Sequence, residues 1–83
     1  MFLHLGGHLA WYDPQKRSRL EIQLRAPIAL IDLLDQLGVP SAEIAVAAIN
    51  GNLVSLDDAR VTDSDRVDLY PPVGGGMFQT QTV

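Results

Sequence analysis

Arg66-Val67-Asp68-Leu69-Tyr70-Pro71-Pro72-Val73-Gly74-Gly75-Gly76 is the stretch that decides the fold. Its opening residues alternate, with Val67 and Leu69 facing one way, as in a strand covered on one side. Two consecutive prolines then withhold the N–H groups that a strand ladder needs, so the strand ends at Tyr70. Three glycines follow, and without β-carbons they can thread a channel too narrow for any side chain. The extended chain from Pro72 to Gly76 reaches ~13 Å, far enough to enter another protein's active site. The reading is a last strand, a stiff exit and a bare flexible arm, with Met77-Phe78-Gln79-Thr80-Gln81-Thr82-Val83 beyond it. Residues 1–73 then form the body, and 74–83 the arm and tail.

Outward from that strand, Asp63-Ser64-Asp65 reads as a turn and Asp57-Asp58-Ala59-Arg60 as a polar connection with room for one helical turn. Asn50-Gly51-Asn52 is a tight-turn signal joining the apolar run Ile44 to Ile49 to a short strand at Leu53-Val54. Ser41-Ala42-Glu43 reads as one turn capped by Ser41. Leu30, Leu33, Leu34 and Leu37 fall on one helical stripe, opposite Asp32, Asp35 and Gln36. Pro27 is placed as the first helical residue and Gly38 as the stop. Asp32 and Asp35 share the wet face and have no catalytic partner nearby in sequence.

Further toward the front, Arg19 to Arg25 alternates with Leu20, Ile22 and Leu24 inward. It should form a hairpin with a first strand over residues 1–12, bent or bulged at Gly6-Gly7, with Leu3, Leu5, Leu9 and Trp11 on one parity. Tyr12-Asp13-Pro14 and Gln15-Lys16-Arg17-Ser18 break and turn the chain between them. His4 and His8 would share a zinc at this spacing on a helix, but in a strand they lie about 13 Å apart and read as exposed histidines. Strand, strand, helix, strand, short strand, strand predicts an α+β fold of the β-grasp (ubiquitin-like) kind. The expectation is a mixed sheet of four to five strands, one main helix across one face, and first and last strands parallel at the centre.

Composition narrows the function. A net charge of −4 argues against a nucleic-acid surface. Lys16, Arg17, Arg19 and Arg25 gather near the front, while Asp57, Asp58, Asp63, Asp65 and Asp68 gather beside the arm, where they suit a basic partner or simply a solvated surface. With no cysteine, the chain has neither a disulfide nor a thiol nucleophile, and no thiolate metal site. The opening residues lack a basic region and a long apolar run, and no stretch is apolar enough to span a bilayer, so the cytoplasm is the expected location.

Asn50-Gly51, then Asp63-Ser64-Asp65-Arg66-Val67-Asp68-Leu69-Tyr70-Pro71-Pro72-Val73, then Gly75-Gly76, together resemble the MoaD/ThiS family of ubiquitin-like sulfur carriers. In that pattern Ser64 replaces a glycine and Gly74 fills a variable slot. The resemblance implies a cosubstrate or a non-catalytic small subunit of a synthase, not an enzyme, and no cofactor. An E1-like enzyme with ATP adenylates the terminal glycine, here Gly76, and sulfur transfer makes a thiocarboxylate for molybdopterin, thiamine or other biosynthesis. Tyr70, Pro71, Pro72 and Val73 are the candidate docking residues beside the arm, with Tyr70 and Val73 reading equally as plain core or rim; a downstream sulfur-accepting synthase is the further partner the resemblance implies. The departure is the heptapeptide after Gly76, which leaves an amide where a carboxylate is needed. The resemblance implies trimming between Gly76 and Met77 by a JAMM-type zinc peptidase. The alternatives are a non-covalent β-grasp interaction module and a ubiquitin-like modifier; the single lysine, Lys16, disfavours chain building as the main role.

Overall fold

The computed structural model describes residues 1–72, so Val73, Gly74, Gly75, Gly76 and Met77 lie outside the described residues. In chain order it holds β1 (Phe2–Leu5), a 3₁₀ segment (Gly7–Tyr12), β2 (Arg19–Glu21), β3 (Ile28–Ala29) and α1 (Leu30–Leu37). A second 3₁₀ turn (Ser41–Glu43), β4 (Val46–Ile49), β5 (Asn52–Val54), β6 (Arg60–Val61) and β7 (Arg66–Tyr70) follow. The main sheet has the order β2-β1-β7-β4-β5, and β3 pairs with β6 in a separate two-stranded sheet. β1 and β7 run parallel, with Leu3 opposite Val67 and Leu5 opposite Leu69, while β2 and β4 flank them antiparallel. This is the expected β-grasp sheet with the last strand at its centre.

Alternation decides which side of the sheet is dry. Leu3, Leu5, Val67 and Leu69 are at most 2% exposed and meet Leu30, Leu33 and Leu34 of α1, also at most 2% exposed. Each such leucine removed from water contributes about 1.5–3 kcal/mol, an upper figure because the unfolded chain already hides some surface. The helix ends where the sequence places its stop: left-handed Gly38 donates to Asp35 O, and Val39 N–H reaches back to Leu34 O at 3.0 Å, burying Val39.

The tight-turn reading of Asn50-Gly51 is also met. Both residues have positive φ, +52° and +85°, and they join β4 to β5 through the pair Ile49–Asn52. Asn50 does a second job. Its Nδ2 donates to Asp65 Oδ1 at 2.9 Å, and its Oδ1 accepts from Arg66 N–H at 2.9 Å. The turn therefore clasps the entry of β7. Ser64 takes no positive φ, so the glycine it replaces is not needed in this turn.

Four expectations are corrected. The first strand does not run to residue 12: it stops at Leu5, and Gly7–Tyr12 coils into a 3₁₀ segment. Its parallel partner ends at Tyr70, where the prolines begin, so residues beyond Gly6 have no strand to pair with. Leu9 still reaches the core, but Trp11 is 73% exposed despite sharing its parity. Second, regular pairing in β2 ends at Glu21, although Leu20, Ile22 and Leu24 all pack against the core. Third, Pro27 does not open the helix. Ile28 and Ala29 extend to pair with Val61 and Arg60, and Leu30 N–H donates to Ala59 O at 2.9 Å. That bond satisfies one of the helix's unpaired donors, so no side-chain cap is required. Fourth, the turn at Ser41–Glu43 begins after Pro40 and has no side-chain cap from Ser41.

The turn before β2 is held by one carboxylate. Asp13 Oδ2 accepts from the N–H groups of Gln15 and Arg17 and from Arg17 Nε, each at 3.0 Å, and Oδ1 accepts from Arg17 Nη2 at 3.1 Å. The Arg17 guanidinium first, and its backbone N–H next, hold the Asp13 carboxyl at about 2. An unfolded aspartate titrates near ~3.9, so the folded chain binds fewer protons between these values. The associated stability is complete above the unfolded value and is lost as pH falls toward the folded one. Asp65, bonded by Asn50 and Thr62, and Asp63, bonded by Leu24 N–H, are lowered in the same direction. Asp13→Asn is expected to lower Tm near neutral pH and to flatten the acid limb of a Tm-against-pH curve; an unchanged slope would contradict the clasp.

Candidate functional site

Where β7 ends, the backbone is gripped from both sides. Gly6 N–H donates to Leu69 O, and Ala45 N–H donates to Tyr70 O, each at 2.8 Å. These are the last rungs of the parallel and antiparallel ladders. Pro71 and Pro72 have no N–H to continue either, so the chain leaves the sheet there. Tyr70 is 41% exposed, Pro71 half-buried and Pro72 exposed. These three of the four candidate docking residues are therefore contiguous at the sheet's end; Val73, the glycine arm and the proposed cut site fall outside the described residues.

The strand register carries Tyr70 onto the face of the sheet opposite α1. Val46 lies opposite Tyr70, Ala48 opposite both Leu53 and Asp68, and His4 opposite Asp68. Phe2, Val46, Leu53 and Tyr70 are all exposed and share that parity. Between them the His4 ring meets Tyr70 edge-on at 5.6 Å, and its Nδ1 lies 3.5 Å from Asp68 Oδ1. Arg66 Nε approaches the other Asp68 oxygen at 3.8 Å. The result is a mixed apolar and charged surface leading to the exit. His4 and His8 separate: His8, in the 3₁₀ segment, bonds Glu43 at 3.0 Å. Among the described residues, no group of three His, Asp or Glu side chains is placed to hold a metal. No helix among them is long and apolar enough to cross a membrane.

Sequence reading found Tyr70 and the prolines but missed His4, Gly6, Gly7 and Ala45, which surround them. One signal was available. Parallel pairing of the first and last strands, with the residue after Leu5 meeting the end of β7, brings Gly6-Gly7 beside Tyr70-Pro71.

Fold and exit together define a ubiquitin-like β-grasp domain whose central strand delivers the C-terminal segment. The ThiS family model matches residues 9–76, and the chain belongs to the ThiS family. Structural comparison agrees on the fold. The crystal structure of a thiamine biosynthesis protein (ThiS) from Geobacter metallireducens matches with a TM-score of 0.55 and 24% identity, covering 92% of this chain and 100% of its own. The solution structure of a thiamine biosynthesis protein from Geobacter metallireducens gives 0.51 and 23%, with 98% and 95% covered. Comparison with curated proteins returns no match.

Proposed function

We propose that this chain is a sulfur carrier and cosubstrate, acting through Gly76 once the residues after it have been removed. The observation that carries this reading is the extent of the family match, which runs from residue 9, after β1, and ends at Gly76. The Met77–Val83 heptapeptide lies beyond it. A JAMM-type peptidase hydrolyses the Gly76–Met77 amide and frees a carboxylate. In the E1-like partner that carboxylate attacks the α-phosphorus of ATP and pyrophosphate leaves; hydrosulfide then displaces AMP from the acyl-adenylate and, losing its proton, leaves the thiocarboxylate. This chain needs no acid, base or metal of its own for either step. Its contribution is placement: a side-chain-free terminus, beside the candidate docking residues Tyr70, Pro71, Pro72 and Val73. Thiamine biosynthesis is the pathway we favour, because both fold neighbours are named for it.

Mass spectrometry of the protein from its own cells tests this. The expected species ends at Gly76, with a fraction heavier by roughly 16 Da where sulfur replaces oxygen, since the acyl group must pass through an activated covalent state. Full-length chain alone in metabolising cells would sink the proposal, and isopeptide adducts would move the assignment to a protein modifier.

A further inference from the structure

Two glycines that the proposed chemistry does not use lie directly beneath the exit. Gly6 is buried in an ordinary extended conformation, with φ −75° and ψ 158°, so backbone freedom does not explain it. Space does. A β-carbon built there would stand 2.6 Å from Tyr70 Cδ1 and 2.9 Å from Leu69 O. Gly7 takes φ +54°, and a β-carbon on it would stand 2.7 Å from Pro71 Cγ and 3.2 Å from Pro71 Cδ. Contacts this short cannot persist, and a backbone carbonyl and a proline ring yield less readily than a flexible side-chain tip. Gly6 also supplies the last parallel rung, its N–H on Leu69 O. The pair thus touches three consecutive residues of the exit, Leu69, Tyr70 and Pro71.

We propose that Gly6-Gly7 is a positioning saddle: by letting Tyr70 and Pro71 settle onto bare backbone, it sets the heading with which the chain leaves the sheet, and so the rate at which a partner's active site can use the terminus. This rests on the carrier reading above. Docking and heading are separate demands. The exposed sheet face governs whether the partner binds, whereas the saddle governs where the chain points once bound. A small misplacement of a reacting group can cost ~100-fold in rate with binding nearly unchanged.

The test is a double-mutant cycle on the Gly76-ended chain, with the E1-like enzyme and ATP, using Gly7→Ala, Pro71→Ala and both together. Gly7→Ala is expected to lower kcat tenfold or more while KM stays within about threefold. The double variant should recover most of that loss, because the ring that the new methyl strikes is gone. Left-handed strain at residue 7 is present in both backgrounds and cancels in the cycle. Additive losses, or wild-type kcat in Gly7→Ala, overturn the saddle. NMR of the full-length chain provides an arm that needs no partner. Contacts from Gly7 Hα to the Pro71 ring protons are expected in wild type. In Gly7→Ala, shifts should centre on residues 5–7, 45 and 69–72; absent contacts also overturn the proposal. If the wild-type Gly76-ended chain is never adenylated, the carrier reading fails and the rate claim fails with it, while the NMR arm decides the geometry alone.

Discussion

Given its E1-like enzyme and ATP, the chain ending at Gly76 is expected to support pyrophosphate exchange, and the 83-residue chain to stay at background. The contrast should be all-or-none, because it is chemical and not a matter of fit. A peptide amide at Gly76 offers no carboxylate oxygen to attack phosphorus, and no docking energy supplies one. A second variant separates chemistry from shape. Gly76→Ala in the trimmed chain keeps the carboxylate but adds a methyl group where the approach must be narrowest. If the arm threads a close-fitting channel, activation should fall on the order of 100-fold, with Tm unchanged because the core among the described residues is complete by Leu69. Equal exchange by full-length and trimmed chains would mean that the tail is no block. Equal exchange by the alanine variant would mean that bareness is not what the partner selects.

The parts of this molecule legible in sequence were those fixed by local rules. Leu30, Leu33, Leu34 and Leu37 announce a helical stripe, Asn50-Gly51 requires positive φ at both turn residues, and Pro71-Pro72 must end a ladder wherever they occur. What escaped depended on partners distant in the chain. His8 to Tyr12 alternate as a strand would, but Pro71 and Pro72 remove the neighbour against which they could pair. Pro27 has the right local chemistry for a helix start, yet Arg60 and Val61 hold Ile28 and Ala29 extended, and Ala59 then takes over the helix's first donor. The same division holds at the site. Tyr70 and the prolines announce an exit from their own sequence, whereas Gly6-Gly7 looks like a bend until the parallel register sets it against Pro71. Asp13 looks like the start of a chain break until Arg17 closes on it.

Leu69→Ala and Tyr70→Ala change neighbouring residues on one strand and are expected to have opposite consequences. Leu69 is fully buried at the centre of the sheet. Removing most of its side chain loses transfer energy and leaves a cavity that β1, β4 and α1 cannot close, at a cost of 2–5 kcal/mol, about 3 as a central figure. In a domain of this size that corresponds to a fall in Tm of about 12–24 °C, a large share of a total stability of about 5–15 kcal/mol. Tyr70 is 41% exposed on the other face, so its truncation should cost about 1 kcal/mol or less. Its loss is expected in recognition: a raised KM for the E1-like enzyme, by about tenfold if it anchors the docking face. Thermal melts and steady-state kinetics on the same two proteins separate the effects. The pattern follows from a period of two: a one-residue slip of β7 would send Tyr70 inward and Leu69 out, and the two results would trade places. A tolerant Leu69 would therefore indict the register itself. Wild-type KM in a stably folded Tyr70→Ala would leave the fold standing and move docking elsewhere on the open face, toward Phe2, Val46 and Leu53.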